Sequence, residues 1–280
     1  MLPNLIVIGA QKSATTSLHF YLGLHPQIAM SRTKELNFFI RERNWNRGVD
    51  WYGSHFAQNR EIRGESSPAY TTYPFYLGVP ERIRVIVPEA RLIYLVRDPI
   101  ERMLSHYVHL YAAGIESRPV EEAFTVPAVK PGQAYRERSR YHLQLEQYWR
   151  HFPPAQVLVV TQGELLRRRR QTLQNVFRFL GVDPAFNSPW FHARRHRSSE
   201  KRRGSSIGGS VERVTRRIFD RLGESAIRHS LERLLLVPFS TPVERPRLSA
   251  RLRGELVDYF RDDVTRLRAA TGLALNSWCV

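Results

Sequence analysis

The sequence predicts an α/β protein, a P-loop-containing parallel sheet flanked by helices, with a basic helical insertion near its C-terminal third. Three observations carry this. Short apolar runs, Leu5–Ile8, Leu92–Val96 and Val157–Val160, alternate with segments of helical spacing. Each run ends in a polar, motif-like stretch, the place where open α/β sheets bind ligands. The first run stops at Gly9 and enters "GAQKSATTSL", a loop that leads directly into a helical pattern.

Taken in order, the strands are Leu5–Ile8, a weaker one near Ile62–Glu65, then Leu92–Val96 and Val157–Val160. Helical spacing covers Thr16–Leu24, Pro80–Val87, Pro99–Ala113, Arg140–Phe152, Leu165–Leu180, Val211–Leu236 and Leu248–Ala270. The stretch 186–246 differs from the rest. It contains "HARRHRSSEKRRGSSIGGS", then a basic amphipathic helix, then the turn-rich "VPFSTPVERP". It reads as a loop-and-helix insertion or lid inside a single domain spanning 1–280.

The chain has 280 residues, enough for one sizeable core. Its single cysteine, Cys279, cannot form an internal disulfide and fits a reducing, cytoplasmic setting. No apolar run is long enough to span a membrane. The net charge of +17 points to an anionic partner: a polyanionic ligand, a membrane surface or nucleic acid. Only Lys12, Lys34, Lys130 and Lys201 among the 43 basic residues are lysines, and most of them fall in polar, motif-like segments. A compact ammonium and a planar guanidinium do different chemistry.

Two motifs carry that chemistry. In the first, Gly9 permits a sharp turn and close backbone approach, and Lys12 adds a point charge. Thr15, Thr16 and Ser17 can cap the following helix, whose N-terminus favours anions. The pattern G-x-x-x-x-G-K-[ST] of magnesium-nucleotide hydrolases is absent, because Gln11 precedes Lys12. The second motif is "LIYLVRDPIERMLSHY". Arg97 ends a strand, Asp98–Pro99 starts a helix, and Ser105 lies two turns along it, a pair suited to gripping a second phosphate. Taken singly, each motif also fits an ordinary capped helix or a surface ion pair.

Together, G-x-x-K-[ST]-x-T-[TS] and a later R-D-P-x-x-R with a downstream serine resemble the sulfotransferases that use 3′-phosphoadenosine 5′-phosphosulfate (PAPS). "SRTKELNFFI", "GESSPAYT" and "RYHLQLEQYWRHFP" follow in the order found in the branch with heparan sulfate N- and 3-O-sulfotransferase domains. The resemblance covers roughly 1–204 and 247–278. It implies sulfo transfer from PAPS, without a metal, to a hydroxyl or amine of a glycan, glycolipid or other small acceptor. It implies cofactor contacts from Gly9, Gln11, Lys12, Ser13, Ala14, Thr15, Thr16 and Ser17 at the 5′ end, and from Arg97 and Ser105 at the 3′-phosphate. The late basic segment Lys201, Arg202, Arg203 and Gly204 would close over the cofactor. Lys12 and Glu35 would be catalytic, Lys12 on the leaving phosphate and Glu35 as general base. Phe38 and Phe39 beside Glu35 favour its partial burial, which would raise its pKa. One position departs: Ser66 stands where related glycan enzymes carry a lysine, and Lys34 is a nearby ammonium that could substitute.

Two other classes remain open on residues alone. One is an ATP-dependent small-molecule kinase, disfavoured by the missing glycine before Lys12 and the lack of an acidic Walker-B strand end. The other is a basic polyanion or membrane-surface binder, supported by "LRRRRQ" and by the amphipathic helix 211–236. No nucleic-acid-binding motif accompanies the arginine runs, and nucleic acid is not the expected partner.

Overall fold

The computed structural model describes residues 1–56, 59–192, 202–204 and 240–280. Five parallel strands form one sheet: β1 (Leu5–Gly9), β2 (Ile28–Met30), β3 (Ile62–Ser66), β4 (Arg91–Val96) and β5 (Val157–Thr161). Their order is β2-β3-β1-β4-β5, with β1 at the centre. All five residues of β1 are buried, the pattern of a parallel strand covered on both faces.

The side-chain alternation of the strands divides the core in two. Ile6, Ile8, Leu92, Tyr94 and Val96 face one layer. That layer contains α3 (Val79–Ile86), α4 (Pro99–Ala112), α6 (Tyr141–Trp149) and the C-terminal helix (Ala250–Thr271). Leu5, Val7, Ile93 and Leu95 face the other layer, made of α1 (Thr15–Leu22), α7 (Gln162–Arg167) and α8 (Arg169–Leu180). The chain leaves β1 through α1 on one face and leaves β4 through α4 on the other. The carboxyl ends of β1 and β4 therefore form a topological switch point, where a crevice opens.

Local chemistry sets the helix ends. Asp98 caps α4 by accepting the Glu101 N–H at 2.9 Å, with Pro99 in the first turn. Ser249 caps the C-terminal helix through the Leu252 N–H at 3.1 Å, and Gly272 ends it at φ 67°. The single helix expected over 165–180 is two, broken at Arg168 (φ −122°, ψ 45°). The break falls in a run of four arginines with no buried side chain to hold the register. Short elements not expected outside 186–246 include β2, α2 (Gly48–Gly53) and α5 (Val120–Thr125). The expected helix 211–236 lies outside the described residues. Within 186–246, Pro189–His192 forms a 3-10 turn. Arg202–Gly204 (β6) pairs antiparallel with Ser240–Pro242 (β7). Among the described residues no helix is long and apolar enough to cross a membrane.

The segment between α4 and α6 is pinned by Glu116. Its carboxylate is 1% exposed and accepts the Arg118 guanidinium at 2.8 and 3.0 Å, the Ser117 and Arg118 N–H groups at 3.1 Å, and Tyr135 Oη at 3.0 Å. Burial pushes the carboxyl pKa up, but the bonds from Arg118 and Tyr135 outweigh it and hold it at about 2. A depressed carboxylate stabilises the fold fully above its unfolded pKa near 4.5 and loses that contribution as the pH falls through about 2. Glu116→Gln is expected to cost about 2–3 kcal/mol at pH 7, the scale for breaking a buried charged hydrogen-bond set. Urea melts at several pH values check this. The gap between wild type and variant should close between about pH 4.5 and 2, and a constant gap would contradict the assignment.

Candidate active site

The loop after β1 is built for an anion. Lys12 and Ala14 adopt left-handed φ of 70° and 69°. Such alternation favours a nest of N–H groups, of which that of Ser13 turns back to the Ala10 carbonyl at 3.2 Å. Ala14 is the N-cap of α1 and supplies no side-chain bond, so Thr15, Thr16 and Ser17 do not cap the helix as expected; its first N–H groups point into the loop without a side-chain cap. Thr15 and Ser17 are buried, Thr16 partly so. Gly9 is also needed for packing. A Cβ there would lie 2.1 Å from Thr71 Oγ1 and 2.8 Å from Tyr94 Cε2, so the glycine makes room for the Thr71 hydroxyl and the Tyr94 ring.

Beneath this loop lie two buried arginines. Arg102, fully buried on α4, donates to Ser139 Oγ at 2.6 Å and to the Tyr135 carbonyl at 2.6 Å; a longer contact reaches the Gln11 carbonyl at 3.5 Å. Arg138, 3% exposed, donates to Gln11 Oε1. Gln11 is thus the bracket that ties the loop to both guanidiniums. None of these hydrogen-bond partners is a carboxylate. Burial lowers the pKa of both arginines, that of Arg138 to about 9; repulsion from Arg97 adds to it at Arg102, and repulsion from Arg102 at Arg138. His106 packs against Arg102 and is held well below its ordinary pKa by burial, then by Arg102 and Arg138; it is a neutral imidazole. Ser13 Oγ, His106 Nε2 and Arg138 Nε are buried without a hydrogen-bond partner among the described residues. Buried orphan polar atoms beside cations that hydrogen-bond no carboxylate fit an oxygen-rich anion.

Glu35, in the segment after β2, reaches the same region along the end of β3. Its N–H donates to the Ser66 carbonyl at 3.0 Å, and its carboxylate pairs with Lys34 Nζ at 2.7 Å. The carboxylate is near enough to Arg138 to stabilise that charge. The expected partial burial is not found: the side chain is 49% exposed. Left-handed φ at Glu35 (63°) and Asn37 (49°) turns Phe38 and Phe39 into the core and leaves Glu35 outside.

Glu65 holds this turn in place. Fully buried, it accepts Tyr52 Oη at 2.6 Å, Ser67 Oγ at 2.7 Å and Tyr70 Oη at 2.9 Å. Two of those hydroxyl oxygens then accept backbone N–H groups, Ser67 from Asn37 at 3.0 Å and Tyr70 from Phe39 at 3.3 Å. Ser66 is buried, with Oγ 3.0 Å from His19 Nδ1. Burial and the nearby Lys34 charge lower the His19 pKa to about 4. The Lys34 charge thus acts on the imidazole that meets Ser66.

Arg97 ends β4 with its side chain 18% exposed, paired to Glu101 at 3.2 Å. Ser105 is buried one turn beyond Glu101 on α4. The strand β6 packs on the same helix, with the Arg203 guanidinium 4.1 Å above the Tyr111 ring. Arg202, Arg203 and Gly204 are thereby brought to α4, as is Arg97; Lys201 lies outside the described residues. The sequence reading gave no role to Arg102, Arg138, Glu65 or Arg245. Arg102 was visible as the second arginine of R-D-P-x-x-R, and Glu65 as the acid of "GESSPAY"; Arg138 and Arg245 carry no signal in an arginine-rich chain.

The sequence model of the sulfotransferase domain matches residues 2–217. The chain belongs to the sulfotransferase family. Relatives of this sulfotransferase-family chain include the membrane-associated sulfotransferase kil1 of Dictyostelium discoideum, 42% identical over 111 residues, which are 38% of this chain and 22% of that protein. Human heparan sulfate glucosamine 3-O-sulfotransferase 5 is 30% identical over 205 residues, 69% of this chain and 58% of that protein. The chain thus spans less than two thirds of the curated relatives it matches. A sulfotransferase from Alicyclobacillus acidocaldarius shares the fold with a TM-score of 0.71 at 24% identity, covering 99% of both chains. The family assignment leaves the kinase reading without support.

Proposed function

We propose that this chain transfers the sulfo group of PAPS to a hydroxyl or amine of a glycan, glycolipid or other small acceptor. The observation that carries the reading is the β1 loop set over Arg102 and Arg138: a backbone anion cradle above two buried guanidiniums with no carboxylate among their hydrogen-bond partners. Bound PAPS would supply the activated sulfo group. Lys12 and the loop N–H groups neutralise charge growing on the leaving phosphate oxygen, and they are in place before reaction. Gly9, Gln11 and Ser13 to Ser17 shape the seat of the 5′ end. Arg97 and Ser105, with the strand Arg202–Gly204, hold the 3′-phosphate. Glu35 takes the proton of the acceptor. Catalysis on this plan is positioning plus electrostatics.

Lys34 beside the neutral His19–Ser66 pair supplies the ammonium that related glycan enzymes place on the residue after the glutamate, which supports a polar, hydroxyl-bearing acceptor. The single cysteine supports a cytoplasmic setting, and 186–246 would serve as the lid of a single domain. The deciding experiment supplies sulfur-labelled PAPS or phosphorus-labelled ATP with pooled glycan, glycolipid and small-molecule extracts. Label should pass from PAPS to an acceptor and none from ATP. Transfer from ATP, or from neither donor, would overturn the proposal.

A further inference from the structure

The chain leaving β7 comes back to the start of α4 at Arg245. Arg245 Nη2 donates to Glu101 Oε2, the same oxygen that accepts Arg97 Nη2 at 3.2 Å. Two guanidiniums from distant parts of the sequence thus converge on one carboxylate oxygen. They are close enough that the Arg245 charge acts on Arg97, and Glu101 counters it. Forks that meet on a single oxygen have the geometry that grips a phosphate, which offers more acceptor oxygens and a larger charge than a carboxylate. The carboxylate is 35% exposed and Arg245 is 47% exposed, so both can shift when an anion arrives. Ser105 follows Glu101 by one helical turn. The segment bearing Arg245 continues from β7, whose partner β6 holds Arg202–Gly204 against α4.

We infer that Arg245 is a further guanidinium of the 3′-phosphate site, with Glu101 the resident counter-ion that aligns Arg97 and Arg245 until the phosphate displaces it. This rests on the 3′-phosphate reading of Arg97 given above. The phosphate takes both forks from Glu101, and because Arg245 is joined to the β6–β7 ribbon, binding draws the basic strand onto the nucleotide. The competing role is a surface pin that only fastens the segment after β7 to α4.

Calorimetry on the full chain separates the two, using adenosine 3′,5′-bisphosphate and adenosine 5′-monophosphate as probes. Wild type should prefer the bisphosphate. Arg245→Ala should bind it about tenfold more weakly or worse, the scale of a charge-assisted phosphate contact, and bind the monophosphate within about twofold of wild type. Glu101→Gln removes a negative charge beside the phosphate and should tighten bisphosphate binding about threefold, again sparing the monophosphate. Unchanged bisphosphate affinity in Arg245→Ala, or equal losses for both probes, assigns the pin and overturns the inference. If wild type does not distinguish the two nucleotides, the 3′-phosphate reading of Arg97 fails and the inference falls with it. The wild-type comparison thus tells one failure from the other.

Discussion

Lys12→Ala is expected to lower sulfo transfer by about three orders of magnitude or more, the range seen when a preorganised cation or oxyanion donor is removed from a group-transfer site. Lys12 stands at the centre of the β1 loop, half-buried, with its charge felt by the buried imidazole of His106. The site already holds Arg102 and Arg138 beneath the loop, so ground-state anion binding should survive the substitution better than the rate does. Nucleotide affinity should fall by about tenfold while the turnover number collapses, the pattern of an interaction made chiefly in the transition state. Lys12→Gly separates charge from backbone. At φ 70° glycine is at ease where lysine is not, so this variant should fold at least as stably and still be inactive. Lys12→Arg keeps the charge but replaces a compact ammonium with a planar fork, and should recover only a small part of the rate. Turnover of Lys12→Ala within tenfold of wild type would remove Lys12 from the leaving-group role.

The parts of this site differed in how openly the sequence declared them. Strands β1 and β4 are covered on both faces and read as unbroken apolar runs; edge strand β5, half-buried over its first three residues, has an equally unbroken apolar sequence. Edge strand β2 is three residues long with only Ile28 fully buried, too short to show a period. The two six-residue helices, α2 and α5, escape for the same reason. Lys12 and Arg97 were legible because their motifs sit at strand ends, and the fold sets those ends side by side on β1 and β4. Glu35 was legible as a residue but not in its surroundings. Reading burial from Phe38 and Phe39 assumes that neighbours share an environment, and the two left-handed residues at 35 and 37 break that assumption. Arg138 is hidden by composition: where 39 of 43 basic residues are arginine, nothing in the sequence marks it, whereas Arg102 stands in R-D-P-x-x-R and only its burial is undeclared.

Glu35→Gln is expected to cost two to four orders of magnitude in turnover, about the range for losing a general base. The substitution keeps size and hydrogen-bonding capacity but removes the acceptor for the proton. It also removes an exposed ion pair with Lys34, which contributes at most about 1 kcal/mol, so the melting temperature should scarcely move and the loss is chemical. Nucleotide affinity should be unchanged, since Glu35 hangs from the Ser66 carbonyl on the β3 side of the crevice and Arg97 stands at the β4 end. Two histidines near the ends of the motifs, His106 and His19, are weaker candidates for the base on physical grounds. His106 is fully buried under the loop, and its ring is kept neutral by burial and two guanidiniums. His19 has its Nδ1 engaged with Ser66 Oγ at 3.0 Å. His19→Gln should therefore lose far less rate than Glu35→Gln when both are assayed against the same acceptor. The reverse ranking would move the base to His19. A Glu35→Gln protein within tenfold of wild type would leave the carboxylate as no more than the partner of Lys34.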